Sequence, residues 1–356
     1  MSPSWKFYLN SKDAWDAMLV AVRSATVSID LEQFILYTDE IGNEFITLCQ
    51  EKAKQGVRVR ILCDAAGSFG LYGSLVPNLL EESGVKIAFF NTFIPGVGNN
   101  HTPWLFRDHR KMLVVDSTVA FTGGICLGEA MRSWRDTHVE LRGEVVAEME
   151  YEFNRMWSYA HKRRFRSRFK KPAATEGYHY VPNLPLPRRR YLYYTLIEAI
   201  RGARHYVYLT TPYFVPDRRL FRVLSLAALR GVDVRILIPR TSDNHIVDVA
   251  AHTHFAHVLK AGVKIHRYTG SMIHAKTAVI DDEWATVGSL NLDNVSLRYN
   301  FEGNIVSTDK KFAAELKSHF LKDLPQSKEL TQEVWEKRGI IQKLKEILVR
   351  PIRWFL

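Results

Sequence analysis

The sequence contains no apolar run that approaches the ~18 uncharged residues needed to cross a bilayer. Residues 1–7 also lack the apolar core of a signal peptide. We therefore expect a protein that is soluble or attached to one face of a membrane.

Cysteine is scarce, with three in 356 residues (Cys49, Cys63 and Cys126) and no C-x-x-C pair. So few scattered thiols exclude a disulfide framework and give no sign of a cysteine-ligated metal. Reduced thiols facing the cytosol are the simplest interpretation.

Acidic residues are outnumbered, because 49 Lys and Arg stand against 38 Asp and Glu, which gives a net charge of +11. An anionic partner is expected: a phospholipid surface, a nucleic acid or a phosphate ester. The chain has 356 residues, of which 46% are hydrophobic, so it is long enough for two domains with sizeable cores.

Two short stretches, residues 109–116 and 274–281, are versions of each other. They read H-R-K-M-L-V-V-D and H-A-K-T-A-V-I-D, so both have the pattern H-x-K-x-x-x-x-D. The apolar residues between Lys and Asp predict a short buried strand. Residues two apart on a strand share a face, so an imidazole and an ammonium would lie side by side in each copy.

The rest of the chain is duplicated as well. Segments 21–25, 55–62 and 83–87 return as 199–203, 230–237 and 261–265, at spacings of 175 or 178 residues. This indicates two homologous halves of about 170 residues each. Helices are predicted at 13–22, 43–54, 193–200 and 220–229, and strands at 27–36, 57–62, 206–213 and 232–238. That alternation predicts an α/β fold with a parallel or mixed sheet in each half.

A catalytic imidazole needs a carboxylate to orient it. Asp136 follows His109 by 27 residues, and Glu302 follows His274 by 28. The near-equal spacing predicts the pairs His109–Asp136 and His274–Glu302, each within one half.

The duplicated motif resembles the signature of the phospholipase D superfamily. This resemblance implies two α-β-α sandwich domains packed about a pseudo-twofold axis, with the active site between them. It also implies a nucleophile at His109 and a general acid, then base, at His274. Lys111 and Lys276 would bind the phosphoryl oxygens.

The resemblance assigns roles to the remaining motif residues too. The motif aspartates, Asp116 and Asp281, would hold the local fold. The turn after the second motif matches the superfamily's G-S-x-N, in which Ser289 and Asn291 would donate hydrogen bonds to the phosphate beside Gly288. The first half has Gly124 at the serine position and Cys126 where asparagine is common, and a thiol is a poor donor.

Within the superfamily the chain resembles the bacterial cardiolipin synthases. The matching stretches are W-R-D-T-H-V at 134–139, T-P-Y-F-V-P-D at 211–217 and G-S-L-N-L-D at 288–293. The implied reaction moves a phosphatidyl group from phosphatidylglycerol to a second lipid hydroxyl through a phosphohistidine, with no metal or other cofactor. A phospholipase D-type hydrolase and a metal-independent nuclease are the alternatives, although a nucleic-acid partner is disfavoured. Because the chain carries both halves, a monomer can form the site.

These observations divide the chain into domains at 1–160 and 191–325, a basic, proline-rich linker at 161–190, and a basic amphipathic helix within 326–356. The linker is either merely solvated or a surface for anionic headgroups. The terminal helix either packs on the core or lies in a membrane interface. The apolar loop 91–108 is expected to line the substrate site. We predict a peripheral protein on the cytoplasmic face of the cell membrane, in contact with its anionic surface.

Overall fold

The computed structural model describes residues 4–92, 104–162, 177–186 and 188–351. The basic segment 163–171 and most of the loop 91–108 lie outside the described residues, so their predicted roles stay predictions. The described chain forms two β-sheets with helices against their faces, as an α/β protein should.

The first half is built on a seven-stranded mixed sheet. Its strands are β1 (Ser4–Asn10), β2 (Ser28–Gln33), β3 (Arg58–Asp64), β4 (Lys86–Phe90), β5 (Met112–Val115), β6 (Val119–Gly123) and β7 (Arg135–Arg142). They lie in the order β1-β7-β6-β5-β2-β3-β4. Strands β2, β3 and β4 run parallel, and the remaining neighbours pair antiparallel. The central strands are buried on both faces, which explains their nearly continuous apolar sequences.

Helices cover both faces of this sheet. They are α1 (Ser11–Ser24), α2 (Glu40–Lys54), α3 (Phe69–Tyr72), α4 (Val76–Glu82) and α5 (Val145–Lys162), with a 3₁₀ turn at Glu129–Met131. Helix α1 begins at Ser11 because the Asn10 side chain accepts a hydrogen bond from the backbone N–H of Asp13, at 2.9 Å.

The second half repeats the arrangement. Its main strands are β8 (Tyr178–Asn183), β9 (Tyr206–Thr210), β11 (Asp233–Pro239), β12 (Lys264–Tyr268), β13 (Thr277–Ile280), β14 (Trp284–Gly288), β16 (Glu302–Ser307) and β17 (Ser327–Leu330). Their order is β17-β12-β11-β9-β13-β14-β16-β8. Two further short strands, β10 (Phe214–Val215) and β15 (Leu292–Asp293), pair with each other.

The helices of the second half are α6 (Tyr191–Gly202), α7 (Arg218–Leu229), α8 (His245–Lys260), α9 (Asn294–Arg298), α10 (Lys310–Asp323), α11 (Gln332–Glu336) and α12 (Ile340–Val349), with a 3₁₀ turn at Leu324–Gln326. Helix α7 is capped by the Asp217 side chain and α10 by that of Asp309. Among the residues described, no helix is both long and apolar enough to span a membrane.

The two halves are related by a pseudo-twofold axis. Strands β1 to β7 correspond in sheet order to β8, β9, β11, β12, β13, β14 and β16. Across the boundary, Asp108 bridges to Phe301 and Arg135 bridges to Ile273. Asp108 and Ile273 each precede a motif histidine, while Arg135 and Phe301 each precede a candidate carboxylate. Such a reciprocal exchange of equivalent contacts is what twofold symmetry produces.

Each half has its own hydrophobic core, and a third core lies between the sheets and draws residues from both halves. This shared core fixes the halves rigidly against each other, because close-packed interiors resist sliding. Phe90 and Phe301, one from each half, meet there with ring centroids 5.3 Å apart.

The predicted domain boundaries need adjustment in two places. Residues 178–183, part of the predicted linker, form strand β8 at the edge of the second sheet. Strand β17, within the predicted terminal segment, extends the same sheet. The predicted strand 206–213 ends at Thr210, and Pro212 follows, which has no N–H to continue a ladder.

Candidate active site

Each motif histidine lies just before a central strand, with its motif lysine two residues on. His109 and Lys111 lead into β5, and His274 and Lys276 lead into β13. All four side chains are buried. Each lysine ammonium donates a hydrogen bond to the backbone carbonyl of its own histidine, at 2.6 Å for Lys111 and 2.5 Å for Lys276. The local structure therefore holds imidazole and ammonium side by side, as the two-residue spacing predicts.

The carboxylates are exchanged between the halves. His109 Nδ1 lies 2.9 and 3.0 Å from the two carboxylate oxygens of Glu302. His274 Nδ1 lies 2.8 Å from Asp136 Oδ2. The predicted pairs His109–Asp136 and His274–Glu302 are therefore wrong, although Asp136 and Glu302 are the residues that reach the imidazoles.

Backbone contacts between the halves explain the exchange. The N–H of His109 donates to the carbonyl of Phe301 at 2.9 Å, and that of His274 donates to the carbonyl of Arg135 at 2.7 Å. Each histidine is thus tied to the residue just before the other half's carboxylate. The equal spacing of histidine and carboxylate in the two halves cannot reveal this exchange. The spacing is the same whether a carboxylate binds the histidine of its own half or that of the other half.

The two histidines interact electrostatically with their carboxylate partners and with both motif lysines. Burial lowers the pKa of His109, Glu302 opposes that effect, and the Lys111 and Lys276 ammoniums reinforce it. Burial likewise lowers the pKa of His274, with Lys276 and Lys111 adding to the effect and Asp136 opposing it. Since each imidazole senses the lysines of both halves, the two half-sites face a common space.

The pKa values of the two carboxylates and of Lys276 are also lowered, but for different reasons. Burial alone would raise the pKa of Asp136 and of Glu302, but nearby cations and the histidine hydrogen bonds hold both below their ordinary values. Burial lowers the pKa of Lys276 to about 8. In the free protein at neutral pH, the site therefore combines ionised carboxylates with neutral imidazoles whose Nε2 atoms are available for chemistry.

Ser289 has a different contact from the one expected. Its hydroxyl donates to Glu302 Oε2 at 2.5 Å and accepts from the backbone N–H of Gly303 at 3.1 Å. Ser289 therefore supports the carboxylate that orients His109, and its predicted hydrogen bond to the phosphate stays a prediction.

The two glycines also serve packing. A Cβ on Gly124 would lie 2.3 Å from Asp136 Oδ1, and a Cβ on Gly288 would lie 2.4 Å from the Asn304 side chain. Gly124 thus stands where the second half has Ser289, and it leaves room for the Asp136 carboxylate. Both predicted substrate-binding glycines act here by allowing close approach.

Asn291 and Cys126 occupy equivalent positions in the two halves. Asn291 is buried, and its Oδ1 has no hydrogen-bond partner among the described residues. The Cys126 thiol is buried too, which raises its pKa, while Lys111 and Lys276 are close enough to oppose that shift. Cys126 therefore adjoins the site, and the predicted phosphate contact of Asn291 stays a prediction.

The motif aspartates lie away from the histidines. Asp116 accepts hydrogen bonds from the backbone N–H groups of Thr26, Val27 and Ser28, at 2.7 to 2.9 Å. Asp281 does the same for the N–H groups of residues 204–206. Each therefore secures the start of a central parallel strand, β2 or β9.

Two aromatic residues beside the imidazoles were not among the predicted site residues. The Phe34 ring centroid lies 4.8 Å from that of His109, and the Trp134 centroid lies 4.9 Å from that of His274. Trp134 stands two residues before Asp136, which was a usable signal. Phe34 does not lie next to a predicted site residue in the sequence, so no such signal was available for it. Both come from the first half, so the aromatic wall of the site does not follow the pseudo-symmetry.

Arg110, the middle residue of the first motif, points away from the site into a buried ionic cluster. Its guanidinium binds Glu32 Oε1 at 2.5 and 2.9 Å and lies 3.4 Å from Asp108. Burial raises the pKa of Glu32 well above its ordinary value despite Arg110. This cluster supports the backbone beneath His109.

A duplicated α/β scaffold with two carboxylate-oriented histidines and two lysines around one space defines a phospholipase D-like enzyme. Comparison with known proteins agrees with the structural class. The chain belongs to the family described as cardiolipin synthase, PLD-like domain, which matches residues 18–157 and 196–324. It is an enzyme of the phosphatidyltransferase kind.

Relatives include the cardiolipin synthase of Halalkalibacterium halodurans, 33% identical over 363 residues that cover 98% of this chain and 71% of the relative. Cardiolipin synthase A of Pseudomonas fluorescens is 32% identical, over 97% and 73% of the two chains. Among solved structures, phosphatidylserine synthase of Haemophilus influenzae matches with a TM-score of 0.77 at 13% identity, over 99% of this chain and 95% of that one. At that identity the structural match supports the fold alone.

Proposed function

We propose that the chain is a cardiolipin synthase-type phosphatidyltransferase that moves a phosphatidyl group from phosphatidylglycerol to the hydroxyl of a second lipid. The crossed pairs His109–Glu302 and His274–Asp136 carry this proposal, because they place two oriented imidazoles and two ammoniums around one space. The relatives named cardiolipin synthase supply the product, and phosphatidylglycerol as the donor is what the family resemblance implies.

In the first step, Nε2 of His109 attacks the phosphorus. The bond between phosphorus and the oxygen of the headgroup glycerol breaks. His274, protonated once the anionic phosphate is bound, gives its proton to the departing alkoxide, so that glycerol leaves neutral. The product is a phosphatidyl group on His109. Glu302 stabilises the positive charge that develops on the His109 ring.

In the second step, the now neutral His274 takes the proton from the hydroxyl of the incoming lipid, and that oxygen attacks phosphorus. The phosphorus–nitrogen bond breaks, and His109 returns to its neutral form. Lys111 and Lys276 bind the non-bridging oxygens throughout, which stabilises the charge of both transition states. Burial of the site strengthens these interactions and limits competing attack by water.

The substrate and the charge of the chain support a location at a membrane surface. The net charge of +11 favours an anionic leaflet, and phosphatidylglycerol is an anionic lipid. We propose a peripheral protein on the cytoplasmic face, active as a monomer since both half-sites are in one chain.

The test is incubation with labelled phosphatidylglycerol in EDTA, with and without a second lipid acceptor. Cardiolipin and free glycerol in equal amounts are expected, and His109→Ala or His274→Ala should abolish them in a folded protein. Phosphatidic acid as the sole lipid product would instead make the enzyme a hydrolase. No turnover of any phospholipid would overturn the proposal.

A further inference from the structure

Helix α12 presents its apolar side chains to solvent. Five of its ten residues are large aliphatic ones with 54–77% of their surface exposed. They are Ile340, Ile341, Leu344, Ile347 and Leu348. A helix that packs on a core through such residues buries them, so these five do not make the core contact that the core-packing interpretation expects.

These five residues form one continuous stripe. At 100° per residue they fall within an arc of about 120° on the helix surface. The other side of α12 faces the protein, where Val349 packs against the core of the second half beside two polar residues. Gln342 lies 3.4 Å from Nδ1 of His252 on α8, and Glu346 is buried in a paired contact with Arg338 at 2.9 Å. Contacts on its inner side therefore fix the helix with its apolar stripe outward.

Lysines flank the stripe. Lys343 and Lys345 are exposed and lie on its two edges, and Arg350 follows at the C-terminal end. The single acidic residue of the helix, Glu346, is neutralised by Arg338 on the inner side. Apolar side chains bordered by ammoniums suit the boundary between acyl chains and anionic headgroups, since lysine stems lie along the apolar layer and their charges reach the phosphates.

We propose that α12 is an in-plane docking helix for an anionic lipid surface, with its stripe among the acyl chains and its lysines at the headgroups. The choice of lipid rests on the proposed function, whereas the orientation of the helix does not. A second copy of the chain fits less well as the occupant. Two such helices would bring like-charged lysines together, and one ten-residue helix face offers less area than a stable dimer needs.

Flotation with vesicles tests the proposal. Wild type should float with vesicles containing phosphatidylglycerol in phosphatidylcholine and much less with phosphatidylcholine alone. Ile341→Ser/Leu344→Ser/Leu348→Ser should lower the partition coefficient at least about tenfold. Lys343→Gln/Lys345→Gln should lower it about fivefold per lysine, and only on the anionic vesicles. The matched control is Val20→Ser/Val27→Ser, two exposed valines of the first half, which should bind like wild type.

A fluorescent label reports insertion directly. The three native cysteines are buried, so Leu344→Cys can be labelled selectively with an environment-sensitive dye. Its emission should shift to the blue on addition of anionic vesicles. An unchanged emission while the protein floats, or stripe variants that bind like wild type, would overturn the proposal. So would stripe variants that convert a wild-type dimer into monomers without lipid.

Activity separates this inference from the proposed function. On a short-chain phosphatidylglycerol that is monomeric in solution, the stripe variants should turn over like wild type. If wild type floats through α12 but turns over no phosphatidylglycerol in any form, the docking helix stands and the proposed function fails. If turnover is normal but flotation does not depend on α12, the docking helix fails alone.

Discussion

The exchange of carboxylates between the halves predicts which variants should behave alike. With the crossed pairs, Glu302→Gln should reproduce the defect of His109→Ala, and Asp136→Asn should reproduce that of His274→Ala. This prediction holds whichever histidine is the nucleophile, so it tests the geometry separately from the assignment of roles.

The expected size of the effect follows from the contacts. A carboxylate within 3.0 Å of Nδ1 stabilises the imidazolium and keeps the Nδ1–H tautomer, which leaves the Nε2 lone pair free. A hydrogen bond to a charged group contributes about 1.5–3 kcal/mol, or a factor of about 10 to 150 in the protonation equilibrium. An amide at the same place can also donate to Nδ1 and so favour the wrong tautomer. We expect turnover to fall about 10²- to 10⁴-fold in each variant.

A substrate with a good leaving group distinguishes the two half-sites. Phosphatidyl-p-nitrophenol needs no acid to release its alcohol, so the nucleophile alone should give a burst of p-nitrophenol and a trapped phosphohistidine. With His109 as nucleophile, His274→Ala and Asp136→Asn should keep the burst and lose the second step. His109→Ala and Glu302→Gln should lose the burst itself.

Circular dichroism of all four variants provides the control for folding. Two outcomes would show that each carboxylate pairs with the histidine of its own half. In one, Glu302→Gln keeps the burst as His274→Ala does; in the other, Asp136→Asn loses the burst as His109→Ala does. The crossed geometry would then be refuted.

Three further predictions concern other residues of the two motifs and the turn after the first. Asp116→Ala should lower the free energy of unfolding by about 2–3 kcal/mol in urea titrations, because three backbone N–H groups lose a charged acceptor, while kcat of the folded enzyme stays near wild type. Since the pKa of Lys276 is about 8, kcat/KM should decline above that pH as its charge is lost, and any residual activity of Lys276→Arg should lack the decline up to about pH 10. Gly124→Ser should displace the Asp136 carboxylate and lower turnover at least about tenfold. A control, Gly202→Ser, where a Cβ meets no atom within 4 Å, should keep full activity.

Much of the fold could be predicted from the duplicated pattern. Repeated segments and two H-x-K motifs predict two similar α/β halves, and the two sheets have corresponding strand orders. The chemistry-bearing residues could be found in the same way, because His109, His274 and their lysines are marked by the motif itself. Asp136 and Glu302 were found by their spacing.

What could not be predicted depends on contacts between segments far apart in sequence. Whether Glu302 serves His274 or His109 depends on how the halves meet, and sequence spacing does not contain that information. The position of the Phe34 ring beside His109 likewise follows from where β2 ends and not from any local motif. For α12, the periodicity predicts an apolar stripe but not the side on which the protein lies.

Crossed pairing has a consequence for how the two histidines differ. Because each carboxylate belongs to the other half, neither half contains a complete site, and the halves must stay together for chemistry. Duplication within one chain still lets the two partners diverge. His109 has the longer Glu302, supported by Ser289, whereas His274 has the shorter Asp136, packed against Gly124. A homodimer of identical halves would have two identical pairs. The fused chain can therefore give its two histidines different surroundings, and under the proposed function these would favour a nucleophile on one side and an acid–base on the other.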